Sequence, residues 1–169
     1  MPISKNALEF DINRSKEQNI EKVLTIIHYQ FGRSALENIF KNKTDIKFEF
    51  SKKTGKFKHI FFQGKMILTF SMGQFSLTLE GAKLLKLNSY SPKFRVIVMD
   101  EVQEFIRQGK SVFCKHVIEI DKILRPGNEV IVVNEKDELL AVGKLLIPSL
   151  LFAGKSVGVA VSVRKGVEN

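Results

Sequence analysis

Ile20, Val23, Leu24 and Ile27 recur at helical spacing just after Ser15, and Gln18 follows that serine at the interval of a capping box. The run predicts an amphipathic helix over about residues 16–30. Gly32 interrupts the pattern, and Leu36, Ile39 and Phe40 resume it, as one bent helix or two short ones. The pattern then changes to IKFEF, KFKHIFF, MILTF and FSLTL, four short strands separated by KKTG, QG and SMGQ, whose glycines suit tight antiparallel connections. Gly81 opens a further helical run with Leu84, Leu85 and Leu87, and NSYSP over 88–92 reads as a linker and domain boundary. Beyond it, FRVIVM is a strand and EVQEFIRQG a short helix over about 101–107 with Val102, Phe105 and Ile106 facing inward, ended by Gly109. SVFCKHVI, EVIVVN, LLAVGKLLI and SVGVAVSV supply more strands, with RPG and EKDE as turns, a count that fits a small closed barrel. The expected organisation is an α+β domain over 1–92 followed by a small β-barrel over 93–169.

Charge adds a direction to this outline. The 169 residues include 27 Lys and Arg against 18 Asp and Glu, a formal net charge of +9. That balance favours a polyanionic partner, RNA first among them, with a solvated lysine-rich surface as the lesser alternative. The excess is concentrated in residues 1–92, with 15 basic and 8 acidic side chains, against 12 and 10 in residues 93–169. A single cysteine, Cys114, excludes an internal disulfide framework and a multi-cysteine metal site, and its strand-like surroundings predict a buried thiol. No apolar run reaches the roughly 20 residues of a membrane span, and the start MPISKNALEFDINRSKEQ lacks the apolar core of a signal peptide. The expected location is cytoplasmic.

Chemistry-bearing residues are few. KKTGKFK places Lys52, Lys53, Lys56 and Lys58 around one hairpin, where they would contact adjacent phosphates if they share a face; a solvated turn uses the same residues. Phe57, His59, Phe61 and Phe62 interleave with them as base-stacking platforms or, more ordinarily, as core. His28, His59 and His116 lie on different elements without metal-ligand spacing, so no metal is expected. Asp100, Glu101 and Glu104 gather at a helix start, where negative charge needs no catalytic reason. KKTG is not a nucleotide-binding P-loop, and neither a catalytic residue nor a cofactor site stands out. Gly109 and the following KSVFCKHV suit close approach of a bound chain's phosphates, with Lys110 and Lys115 bracketing the run and Arg164 and Lys165 ending the last strand; an ordinary turn needs the same glycine.

In FRVIVMDEVQEFIRQGKSVFCKHVI, RPGNEVIVVNEKDELLAVGKLLI and VSVRKG, residues of about 93–166, the chain resembles the PUA domain, a small RNA-binding barrel. FGRSALENIF, FSKKTGKFKHI, GQFSLTLEGAKLL and KFRVIVMD resemble the RNA-binding C-terminal portion of archaeal tRNA-guanine transglycosylases, which install the archaeosine precursor in tRNA, and also related archaeosine synthases. The resemblance implies an α+β N-terminal domain followed by a PUA-like small β-barrel. It further implies that the barrel binds the acceptor end of tRNA, with RNA contact at Gly109, Lys110, Ser111 and Lys115, while the preceding domain links a catalytic body to the barrel.

Catalysis in that family uses a separate (β/α)8 barrel with aspartates and a zinc site, for which this chain has neither the length nor the cysteines. The resemblance therefore implies a noncatalytic tRNA-binding protein or subunit, partnered by a catalytic transglycosylase or archaeosine synthase. An independent RNA-binding or ribosome-associated scaffold and an RNA-modifying enzyme with a composite site are the alternatives.

Overall fold

The computed structural model describes residues 15–33, 36–41, 43–149 and 157–169. The chain start read for a signal peptide, residues 34 and 35 of FGRSALENIF, and Ser156 at the head of SVGVAVSV lie outside the described residues. The chain divides into two compact units, residues 1–76 and 77–169.

In the first unit the capping box forms as the spacing predicts. Ser15 Oγ accepts from the Gln18 N–H at 3.3 Å, and Gln18 Oε1 accepts from the Ser15 N–H at 3.1 Å. Helix α1 (Lys16–Phe31) buries Ile20, Val23, Ile27 and Phe31. It stops at Gly32, whose N–H donates to His28 O, so the segment beyond it is a second helix, α2 (Glu37–Lys41), rather than a bent continuation.

Strands β1 (Ile46–Phe50), β2 (Phe57–Phe62), β3 (Lys65–Ser71) and β4 (Gln74–Leu77) form a meander in chain order. Gln63–Gly64 and Met72–Gly73 make its two tight turns. A register shift at Ile60/Phe61 accompanies the burial of two neighbouring residues of β3, Ile67 and Leu68. The edge strand β4 is satisfied by a side chain: Gln30 of α1 donates to Phe75 O at 3.1 Å and accepts from the Phe75 N–H at 2.7 Å. One amide thus supplies both halves of the pairing that another strand would have made.

The second unit opens on a helix set by Thr78, whose hydroxyl accepts from the Gly81 N–H at 3.1 Å. That cap starts α3 (Leu79–Leu87) two residues before Gly81 and ends the FSLTL strand early. Strands β5 (Arg95–Val98), β6 (Val112–Phe113), β7 (Val117–Ile120), β8 (Glu129–Val133), β9 (Leu139–Leu145) and β10 (Val159–Gly166) follow, with α4 (Gln103–Arg107) between β5 and β6. Their order is β6-β10-β9-β8-β5-β7, parallel only between β5 and β8.

SVFCKHVI is not one strand. A 3-10 turn at Cys114–His116 breaks it into β6 and β7, the two ends of the sheet order, and the sheet curls into a nearly closed PUA-like β-barrel. The fold is thus an α+β N-terminal region followed by a small β-barrel. The barrel core contains Val96, Val98, Val130, Val132, Leu140 and Val161, together with the thiol of Cys114. Small and branched side chains suit so narrow an interior.

Buried charge organises the rim. Arg95 is 1% exposed and donates to Asp137 at 2.7 Å, to Ser89 Oγ at 3.1 Å, and to the carbonyls of Lys93, Lys86 and Ser89. One guanidinium thereby satisfies carbonyls at the end of α3 and holds the β8–β9 turn. Glu129 is buried as well, accepting from Arg164 at 2.9 Å and from the Leu77 N–H at 2.9 Å, while Arg164 also donates to Leu77 O at 2.8 Å. Each pair sets one buried charge against a partly exposed partner, and removing that partner leaves the buried charge uncompensated.

Close backbone approach seats α4 on β10. A Cβ on Gly166 would lie 2.0 Å from Arg107 O and 2.6 Å from Gly109 N. Gly109 itself sits at φ +88°, and the Glu168 N–H donates to Arg107 O at 3.0 Å.

Gly166→Ala should therefore destabilise the barrel by about 1–3 kcal/mol through overpacking, read as a lower midpoint in denaturant unfolding; an unchanged midpoint would mean that α4 is not held by this contact. A second expectation concerns acid. Burial works to raise the Asp137 carboxyl, but hydrogen bonds from Arg95 and Lys86 outweigh it and hold the group below the usual aspartate range. Its contribution is present above the unfolded aspartate value of about 3.9 and is lost as pH falls through the lower folded value. The stability difference between wild type and Asp137→Asn should accordingly shrink as pH falls below the unfolded value of about 3.9. A constant difference across that fall would contradict the pairing.

Candidate functional site

Helix α4 has only five residues, and Val102 is its N-cap. Val102 and Ile106 are buried, as the spacing predicts, but Phe105 is 60% exposed, a correction to its inward assignment. Phe113, on β6 with buried Val112 and Cys114 as its chain neighbours, is 50% exposed by strand alternation. Between them lies a cleft of about 430 Å³, lined by Phe105, Ile106, Lys110, Ser111, Phe113 and His116 among others. Its walls are largely apolar, and Lys110 places a cation beside them. Exposed aromatic rings next to a lysine form a surface on which unpaired bases can stack while a phosphate is neutralised.

The turn that delivers Lys110 and Ser111 is built from Gly109. The Gly109 N–H donates to Ile106 O at 2.9 Å and the Lys110 N–H to Phe105 O at 3.0 Å. Gly109 sits at φ +88°, a backbone conformation that favours glycine, while the nearest atoms a Cβ there would meet belong to the flexible side chain of Asn169. Lys115 is exposed on the adjoining 3-10 turn and does not line the cleft. His116 Nδ1 is 3.6 Å from Glu101 Oε1, beyond hydrogen-bond length.

Arg164 and Lys165 are adjacent on β10, but the Arg164 guanidinium is bound to Glu129 and Leu77 O, whereas Lys165 is exposed. Of the sequence-derived set in this unit, the structure brings Lys110 and Ser111 together in the cleft. It adds Phe105, Phe113 and His116.

In the first unit, Lys52 and Lys53 are exposed in the β1–β2 loop, Lys56 is exposed at its end, and Lys58 lies on β2. Ser51 organises the loop: its N–H donates to Lys56 O at 2.9 Å, and its hydroxyl accepts from the Thr54 N–H at 3.2 Å. Lys58 is 3.6 Å from Glu49, and His59 Nδ1 is 2.9 Å from the same carboxylate, whose pKa is held low chiefly by the His59 hydrogen bond. Phe57 is 3% exposed, and Phe61 and Phe62 are half-buried. No group of three or more His, Cys, Asp and Glu placed to hold a metal ion occurs among the described residues, and none of the described helices is long and apolar enough to cross a membrane.

Residues 21–92 match the patch-forming domain C2 of tRNA-guanine transglycosylase, and residues 94–167 match the PUA domain. The tRNA-guanine(15) transglycosylase of Methanobrevibacter smithii is 40% identical over 158 residues, 92% of this chain and 24% of that protein. The Thermococcus onnurineus enzyme is 39% identical over 163 residues, 95% of this chain and 27% of that protein. The chain thus spans about a quarter of the length of these curated relatives.

Among solved structures, a hypothetical protein from Pyrococcus horikoshii OT3 superposes with a TM-score of 0.73 at 23% identity, covering 92% of this chain and 93% of that one. A conserved PUA domain protein from Thermoplasma acidophilum gives 0.60 at 17% identity, covering 92% and 93%. These two likenesses establish the fold. The chain is a PUA-domain protein in which the barrel follows a patch-forming C2 domain, homologous over this span to archaeal tRNA-guanine(15) transglycosylase.

Proposed function

We propose that this chain is a noncatalytic tRNA-binding protein or subunit of archaeosine-pathway tRNA modification. In this reading the α4–β6 cleft receives the unpaired acceptor end of the tRNA. The observation that carries the proposal is the pair of exposed rings, Phe105 and Phe113, facing a cleft that Lys110 and Ser111 enter. An unpaired end offers base faces for the rings and phosphates for the lysine, whereas a regular RNA duplex hides its bases. Homology to tRNA-guanine(15) transglycosylases over a quarter of their length supports tRNA as the RNA.

Gly109 shapes the turn, and Lys115 flanks it as an outer phosphate contact. Lys165 extends the basic rim, and Arg164 acts by holding Glu129 in place. In the N-terminal domain Lys52, Lys53, Lys56 and Lys58 hold the RNA backbone without reading sequence. Base exchange itself belongs to a catalytic transglycosylase or archaeosine synthase, which this chain would help to position on cytoplasmic tRNA.

Phe105→Ala should weaken tRNA binding by about 1–3 kcal/mol, roughly tenfold to a hundredfold, with an unchanged unfolding midpoint because the ring is largely outside the core. The double charge reversal Lys110→Glu, Lys115→Glu should weaken it further and flatten its salt dependence in filter-binding titrations. Wild-type affinity in both variants would overturn the cleft as the RNA site.

A further inference from the structure

Within the first unit lies a second hollow, of about 590 Å³, that the cleft does not explain. Three elements converge on it: α1 through Lys22, the β1–β2 loop through Thr54 and Lys56, and the β3–β4 turn through Met72 and Gly73. Phe57 and Phe70 form the apolar floor, with ring centroids 6.5 Å apart, Phe57 deeply buried and Phe70 half-buried. Lys22 Nζ stands 5.5 Å from the Phe57 ring centre, and Met72 is wholly exposed at the lip. Among the described residues that line the hollow, the charged ones are lysines and none is acidic; Lys58 pairs with Glu49, which lies outside the lining.

This combination is selective. An apolar floor alone would suit any hydrophobe, and lysines alone any anion. Lysines around an aromatic floor, with the hydroxyl of Thr54 beside them, match a ligand that carries an anion, a flat ring and hydrogen-bonding groups together. We infer that the hollow binds a nucleoside monophosphate unit, its phosphate met by Lys22 and Lys56 and its base laid between the Phe70 ring and the Met72 thioether. The unit is either a free nucleotide or one nucleotide of a single-stranded RNA segment. This inference deepens the phosphate-contact reading of the lysine hairpin and rests on it, but it involves no residue of the barrel cleft.

The test is an amide NMR titration of the full 15N-labelled chain with inorganic phosphate, with 5′-AMP and 5′-GMP, and with a single-stranded RNA trinucleotide. The nucleotides should shift the Thr54, Ser71 and Gly73 amides saturably and at lower concentration than phosphate does. Lys56→Glu should weaken this by about tenfold, the size of one lost lysine–phosphate contact. Phe70→Leu, which keeps an apolar floor without a ring, should remove the advantage of nucleotide over phosphate. Tighter binding of the trinucleotide than of the mononucleotides identifies RNA as the source, and the reverse order identifies a free nucleotide.

Phosphate and nucleotides acting equally, or none of the ligands moving these three amides, overturns the inference. If tRNA still shifts the Lys110 and Ser111 amides in the latter case, the RNA-binding reading survives and only the hollow is rejected. Nucleotide shifts in a chain that binds no tRNA would instead reject the RNA reading and leave the hollow.

Discussion

The barrel's functional edge depends on a contact that admits no side chain. Helix α4 ends against β10 at a distance where any Cβ on Gly166 would overlap Arg107 O, and the chain then reverses through Gly109 at positive φ. Because α4 is so short, its position follows from this seating and from the burial of Val102 and Ile106 rather than from helix stability of its own. What remains of the helix faces outward. Phe105 stands proud of the surface, and the turn presents Lys110 and Ser111 beside it.

Charge buried at the rim does complementary work. Arg95 ties the end of α3, the Lys93 carbonyl and Asp137 to one guanidinium, and Glu129 holds Arg164 and Leu77. Desolvation offsets much of the net stability that either pair adds. Their geometric effect is plain: each fixes an irregular segment whose backbone groups would otherwise need water. In the first unit Gln30 performs the same service for β4 with a neutral amide.

Much of this was legible in the chain because periodicity and capping are local. The Ser15/Gln18 spacing, the QG connection at Gln63–Gly64 and the buried thiol of Cys114 each translate directly into structure. Long-range partnerships did not translate. Arg95 stands in FRVIVM, read only as a strand, and its partner Asp137 lies 42 positions later, matched to it by the barrel's register. Arg164 looked like a surface charge because its partners lie 35 and 87 positions away. Phe105 shares a helical face with Val102 and Ile106 by spacing, and which of the three the barrel covers is set by tertiary packing that spacing does not encode.

A basic helix-and-sheet unit and a barrel with an aromatic cleft suited to unpaired nucleotides are the two features on which the proposed tRNA-binding role rests. The most direct measurement is competitive electrophoretic binding of the chain to intact tRNA, to the same tRNA lacking its unpaired 3′ end, and to length-matched RNA at several salt concentrations. The account requires intact tRNA to be preferred at every salt concentration, with much of that preference lost on removing the 3′ end. Equal, weak and steeply salt-dependent binding to all three RNAs would contradict it, leaving only the attraction of a +9 chain for phosphate.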